Sequence, residues 1–183
     1  IFLAADELGF RPDILVCVND LVVEQSVEEF SNLQMPKFFA WRARKWLTMD
    51  PWTHFIYTSY TSPKFSKDVR GRVWEGATVT NVCLQLAYHL GFSEVILIGV
   101  DHSFATKGKP NTTIQSQGDD PNHFSASYFG KGFRWQLPDL ETSELGYRMA
   151  CRAYEESDRK ILDATVGGKL DIFDKVDYES LFK

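Results

Sequence analysis

Cysteine is scarce in this chain. Cys17, Cys83 and Cys151 make an odd set with no C-x-x-C spacing, which argues against a disulfide scaffold and against a cysteine-rich zinc site. All three fall within apolar strand or helix patterns, the setting of reduced, buried thiols in a cytoplasmic protein. Positive charge is also in short supply: 20 Lys and Arg stand against 25 Asp and Glu, for a formal net charge of -5. The basic residues are dispersed apart from Arg42, Arg44 and Lys45, so the chain lacks the basic stripe a nucleic acid requires. No apolar run reaches the ~20 residues needed to cross a bilayer as a helix, no signal peptide is visible, and there is no internal repeat or low-complexity tract. Ile1 is not an initiator residue, so the reading expects a fragment of a larger protein whose upstream elements lie outside it.

Apolar material, by contrast, is plentiful. Hydrophobic residues make up 44% of the 183 positions and aromatics 14%, enough for one domain, 1–183, with a real core. The stretch from Gly76 to Phe104 carries the clearest pattern. Gly76, Thr78, Thr80 and Asn81 supply a flexible backbone and N-capping groups, and Val79, Val82, Cys83, Leu86, Ala87 and Leu90 then recur at helical spacing. Gly91 closes that helix, and Val95 to Val100 form an apolar run without alternation, the pattern of a parallel strand buried on both faces. Asp101, His102 and Ser103 follow at the carboxyl end, where ligands lie in open α/β sheets. A helix start beside such a strand end offers unpaired amides and a positive dipole end to an anion such as phosphate.

The same grammar recurs elsewhere. Ile14 to Val18 is a second apolar strand ending in Asn19 and Asp20, Val23 to Leu33 repeats at helical spacing, and Lys37 to Trp41 forms a further short strand, which completes a β-α-β unit. Arg42 to Val73 is aromatic and irregular and reads as loops and short strands. Residues 105–142 read as a long lid-like insertion, since a loop of that length in a compact domain usually serves binding. A helix is expected from Leu140 to Ser157, a strand at Lys160 to Ala164, a turn at Thr165 to Gly168, and a tail from Leu170 to Phe182 pinned by residues such as Phe173. The whole predicts a Rossmann-like α/β fold, with a mostly parallel sheet and helices on both faces.

The blocks RPDILVCVNDLVVEQ, GATVTNVCLQLAYHLGFSEVILIGVDHSF, HFSASYFGKGFRW and KILDATVGGKL together resemble the bacterial branch of the 6-hydroxymethylpterin diphosphokinase-like family, whose members have a Rossmann-like fold. The first two blocks are also similar, more distantly, to bacterial sialyltransferases that use a CMP-sugar donor. Family members open with a strand and a G-x-G-P-S-L-type nucleotide loop, an element this sequence does not contain. The resemblance implies that Asn19 contacts a donor nucleotide, that Thr78 and the residues around Gly76 line the donor site, and that Asp101 is the acidic residue ending the central strand. It implies a histidine base in the polar segment before the penultimate helix, where this chain offers His123.

Taken together, the candidate cofactor-binding residues are Asn19, Asp20, Gly76, Thr78, Thr80 and His102, and the candidate catalytic residues are Asp101 and His123. No metal-ligand set is expected, because Asp119, Asp120 and His123 lack a specific spacing. Asp101 and His102 are alternative acid–base or cation-holding groups, and as strand-end neighbours they point in opposite directions. Gly130, Lys131 and Gly132 with Arg134 read either as a diphosphate clamp or as a surface turn. The favoured expectation is a glycosyltransferase of surface polysaccharide assembly, taking a nucleotide-sugar donor such as a CMP-sugar and a sugar acceptor, with a possible homo-oligomer through the aromatic stretch. The alternatives are diphosphoryl transfer from ATP with Mg²⁺ to a pterin alcohol, and a catalytically silent interaction domain of a larger protein.

Overall fold

A computed structural model of the chain describes residues 9–104, 106, 108–118 and 131–183. In chain order the elements are β1 (Leu15–Cys17), α1 (Asp20–Gln25), α2 (Val27–Asn32), β2 (Lys37–Ala40), a 3-10 helix (Trp41–Lys45), β3 (Thr53–Ile56), β4 (Thr58–Ser59), β5 (Val73–Trp74), α3 (Val79–His89), β6 (Glu94–Leu97), β7 (Thr113–Gln115), β8 (Arg134–Gln136), α4 (Leu140–Glu155), β9 (Lys160–Asp163), β10 (Asp174–Lys175) and a closing 3-10 helix (Tyr178–Phe182). Strands are mostly parallel and alternate with helices, so the chain has a Rossmann-like α/β fold. It divides into two compact units, Ile1–Thr58 with Ala105–Pro138, and Ser59–Phe104 with Asp139–Lys183.

In the first unit β1, β2 and β3 form a parallel sheet in that order, with Leu15 opposite Lys37 and Phe39 opposite Phe55. Leu15, Val23, Phe30, Phe39, Ala43 and Leu47 make its core. The helical periodicity expected without interruption from Val23 to Leu33 is broken at Ser26, whose backbone leaves the helical region at φ −126, ψ 31, so two short helices replace one. Serine is a weak interior helix former, and here its N–H is shared between Val22 and Val23 carbonyls at 3.1 and 3.3 Å. Lys37 is buried among this sheet at 1% exposure. Its Nζ donates to the Phe30 and Leu33 carbonyls at 3.0 and 2.8 Å and to Asp50 Oδ2 at 3.2 Å, thereby closing the C-terminal end of α2.

Part of the stretch 105–142, expected as irregular, is an antiparallel hairpin of β7 and β8 with Ile114 opposite Trp135. The Gln25 side chain ties it to α1. Its Nε2 donates to the Arg134 carbonyl at 2.9 Å and its Oε1 accepts from the Arg134 amide at 2.8 Å, the pairing a neighbouring strand would make.

In the second unit the parallel order is β10, β9, β6, with Glu94 opposite Lys160 and the two side chains ion-paired. Leu84, Tyr88, Leu97, Tyr147, Ala150, Tyr154, Ile161, Leu170 and Phe173 form its core. The run Val95 to Val100 was expected to be strand throughout and buried on both faces. The strand instead ends at Leu97, Gly99 turns at φ +66, and Ile96 and Ile98 are 37% and 48% exposed. Among the described residues β6 pairs only with β9, so one flank has no neighbour to cover it. The segment expected as a pinned tail is part of the sheet, through β10, and of the core, through Leu170 and Phe173.

α3 and α4 approach closely at Gly146. A Cβ there would stand 3.0 Å from Asn81 Cγ and 3.1 Å from its Oδ1. A glycine in a helix interior weakens it by about 1 kcal/mol relative to alanine, and here that cost admits the buried Asn81 between the helices.

Candidate functional site

The site residues of the second unit gather where α3 begins. Gly76 and Ala77 both adopt left-handed backbone, at φ +59 and +57. Glycine does so freely, whereas alanine does so at a cost of about 1–2 kcal/mol. Thr78 follows in extended conformation as the N-cap, and its Oγ1 accepts from the Thr80 amide at 3.2 Å. The Asn81 amide is taken by the Thr78 carbonyl at 3.2 Å. Among the described residues the amides of Ala77 and Val79 have no protein acceptor, and both residues are exposed. Two amides without a protein acceptor thus stand at the positive end of an 11-residue helix.

Behind this turn lies Tyr147, on α4. Burial pushes its hydroxyl above the ordinary tyrosine range, opposed by the Thr78 and Thr80 hydroxyls beside it. Tyr147 is also the partner of His102, the ring centroids being 6.2 Å apart. His102 lies beyond β6 at φ +53, in the left-handed region that is uncommon outside glycine. Its Nε2 lies 3.0 Å from Glu144 Oε1, and its side chain is 10% exposed. Arg148 Nη2 donates to the other carboxylate oxygen at 3.2 Å. The hydrogen bond with His102, and after it the one from Arg148, holds the Glu144 carboxyl below its usual range. Thr78, Thr80 and His102, separate in sequence, are therefore brought together through Tyr147.

The turn at Thr165 to Gly168 locks the carboxyl ends of β6 and β9 together. Thr165 Oγ1 accepts from the Val100 amide at 3.1 Å, and the Lys169 amide donates to the Asp101 carbonyl at 2.9 Å. Asp163 completes the junction with a side chain of 0% exposure. Its Oδ1 accepts from the Thr165 amide at 2.8 Å and its Oδ2 from Lys175 Nζ at 2.6 Å. Burial pushes this carboxyl upward, but the hydrogen bonds from Lys175 and Thr165 outweigh it and leave the group below its usual range. A depressed carboxyl stabilises the fold above its unfolded value, near 4, and that contribution disappears as pH falls through the folded value. Unfolding free energy measured by urea titration from pH 5 down to pH 2 should fall for the parent chain. In Asp163→Asn it should start lower and fall less steeply, and equal slopes would show that Asp163 does not govern acid stability.

Asn19 and Asp20 lie in the first unit, where the local fold uses both. Asn19 is the N-cap of α1, its Oδ1 accepting from the Leu21 amide at 2.9 Å and the Val22 amide at 3.4 Å. Its Nδ2 has no protein acceptor among the described residues. Asp20 is held by Arg42 Nε at 2.6 Å, and the same guanidinium reaches Thr58 Oγ1 and the Val18 carbonyl, at 2.8 and 2.6 Å. This fork fixes the end of β1 and the start of α1 as one piece.

Asp101 is exposed. The Arg134 guanidinium, read as one arm of a diphosphate clamp, pairs instead with Glu24 Oε2 at 2.8 Å. His123 and Gly130 lie outside the described residues. Burial pushes the Cys83 thiol up to about 12 and the Cys151 thiol up to about 11, so neither supplies a thiolate nucleophile at neutral pH. Glu144 and Tyr147 escaped the reading of the sequence, where they pass as one polar and one apolar helix position. Their spacing of three, facing a histidine beyond β6, is visible only once α4 is placed.

The family described as 6-hydroxymethylpterin diphosphokinase MptE-like matches residues 3–107, more than half of the 183. The chain belongs to this family. The match takes in β1 through β6, and therefore Asn19, Asp20, the α3 start and His102, while Glu144 and Tyr147 fall beyond it. No curated protein and no solved structure matches the chain. No helix among the described residues is long and apolar enough to cross a membrane.

Proposed function

We propose that this MptE-like chain is a transferase that moves a diphosphoryl group from a nucleoside triphosphate to the hydroxymethyl group of a pterin-like alcohol. The observation that carries this reading is the family match, which spans the whole turn from Gly76 to Thr80. In phosphoryl transfer most of the protein's work is positioning and charge stabilisation. The Ala77 and Val79 amides, set by a left-handed turn and a threonine cap, suit that work. The family also implies Mg²⁺ with the nucleotide. Among the described residues no group of three His, Cys, Asp or Glu side chains gathers to hold a metal, and no step is assigned to the ion. Glycosyl transfer from a CMP-sugar is the second reading, supported by the open Nδ2 of Asn19, the residue that the resemblance sets against a donor nucleotide.

Val79→Pro tests the cradle. Val79 is the first residue of α3, where proline is tolerated and only its own amide is lost, and Thr78 before it is already extended at φ −150, ψ 138. The fold should survive, with a melting temperature close to the parent's. Losing a hydrogen bond to a charged phosphate, worth about 1.5–3 kcal/mol, should weaken ATP binding roughly tenfold or more by titration calorimetry. Unchanged affinity would remove the amide from the site. Binding of a CMP-sugar but not of ATP would favour the glycosyl reading, and a chain that binds neither is an interaction module.

A further inference from the structure

We infer that His102 and Glu144 form a proton-accepting pair for the acceptor hydroxyl, an inference that rests on the transfer reading above. The geometry is that of a base and its orienting carboxylate. Nε2 of His102 lies 3.0 Å from Glu144 Oε1, so in the neutral ring the proton sits on Nε2 and the lone pair on Nδ1. Nδ1 has no partner among the described residues. The pair is braced rather than loose: Arg148 holds the second oxygen of Glu144, Tyr147 lies against the imidazole, and the histidine side chain is 10% exposed. A left-handed non-glycine residue in the segment after β6, held by partners on a separate helix, is a place where backbone strain is retained by its surroundings. Glu144 and Tyr147, both from α4, lie against the ring, with Arg148 on Glu144 and the Thr78 and Thr80 hydroxyls on Tyr147.

The chemistry balances without a further reactant. The acceptor oxygen bonds to the β-phosphorus of the triphosphate, and the bond from that phosphorus to the bridging oxygen breaks, its electron pair leaving on the nucleoside monophosphate. The hydroxyl proton passes to Nδ1. The imidazolium so formed donates from Nε2 to Glu144, as in other histidine–carboxylate pairs. His102 is the catalytic residue in this scheme and Glu144 a positioning residue.

Two measurements on the full chain decide it. By nitrogen NMR, neutral His102 should be locked wholly in the Nε2–H tautomer, and Glu144→Ala should relax it toward the tautomer mixture of a free imidazole. A parent found in the Nδ1–H tautomer would overturn the pair. In single-turnover transfer from ATP to a hydroxymethylpterin, His102→Asn should slow the rate about 100-fold. Asparagine is chosen because it tolerates the left-handed backbone. Glu144→Gln should slow the rate about tenfold, and the double variant no more than His102→Asn alone, because the two act as one unit. ATP affinity should stay within twofold throughout. An active parent whose His102→Asn variant keeps a rate within threefold would overturn the base while leaving the transfer reading intact. A parent that transfers nothing would overturn both.

Discussion

Replacing Lys37 by Met should cost the fold about 2 kcal/mol, with little effect on the size of the core. The methionine fills a similar volume but removes an ammonium that donates to the Phe30 carbonyl, the Leu33 carbonyl and Asp50. Two opposing terms have to be weighed. Relieving a buried charge of its desolvation favours the variant, whereas the Leu33 carbonyl left without its donor costs about 1–3 kcal/mol, the Phe30 carbonyl keeping the Leu33 amide at 3.4 Å. Asp50 contributes little to the balance, since its side chain is 35% exposed and can turn to water. The Leu33 carbonyl therefore decides the sign. Asp50→Asn gives the control: it keeps Nζ on both carbonyls and should cost under about 1 kcal/mol. Urea unfolding of the two variants beside the parent checks the contrast. A Lys37→Met cost no larger than that of Asp50→Asn would show that the ammonium is tolerated at this junction and does not support it.

The same residue shows where reading the sequence stops. Lys37 opens an apolar strand and passes for its solvent-facing end, yet it is among the most buried side chains of its unit. Periodicity reports which residues are apolar, and it cannot report that a polar one has found three acceptors. Where capping and period agree, the reading holds: Thr78 caps α3 and Gly91 follows it, as the helical spacing between them predicts. Where one apolar run had to reveal its neighbours, it fails, because Ile96 and Ile98 look alike whether a strand has two partners or one. Hairpin β7–β8 was missed since Thr113–Gln115 and Arg134–Gln136 are too short and polar to show a period of two.

The candidate site was legible in the same uneven way. Gly76, Thr78 and Thr80 announce a helix start through residue type alone, and the structure adds that Ala77 shares the left-handed turn. Asn19 and Asp20 follow β1 as the sequence reads them, but their local duties, capping α1 and meeting Arg42, come from partners up to 22 residues away. Glu144 is the extreme case, 42 residues from the His102 it faces.

Gly76→Ala should destabilise the chain more than a left-handed glycine ordinarily would, by about 3–5 kcal/mol. The backbone term alone, putting a Cβ at φ +59, is worth about 1–2 kcal/mol. The second term is steric. The new Cβ would stand 2.7 Å from Asn81 Nδ2 and 3.1 Å from its Cγ, too close for either to remain. Asn81 has nowhere cheap to go, because it is 1% exposed, its Nδ2 donates to the Trp74 carbonyl at 3.0 Å, and its other face meets Gly146. Displacing it forfeits a buried hydrogen bond and overpacks the contact of α3 with α4, at about 1–3 kcal/mol for each effect. Gly167 separates the two terms. It is left-handed too, at φ +71, but a Cβ there meets nothing within 4 Å, so Gly167→Ala isolates the backbone cost and should lose about 1 kcal/mol. Gly76→Asn sharpens the point, since asparagine relieves the backbone strain and keeps the clash. Thermal unfolding of the three variants should rank Gly167→Ala as mild, with Gly76→Asn close to Gly76→Ala. If Gly76→Asn instead returned to the stability of Gly167→Ala, the turn before α3 would be held open by backbone conformation alone. The buried asparagine would then have no part in shaping that turn.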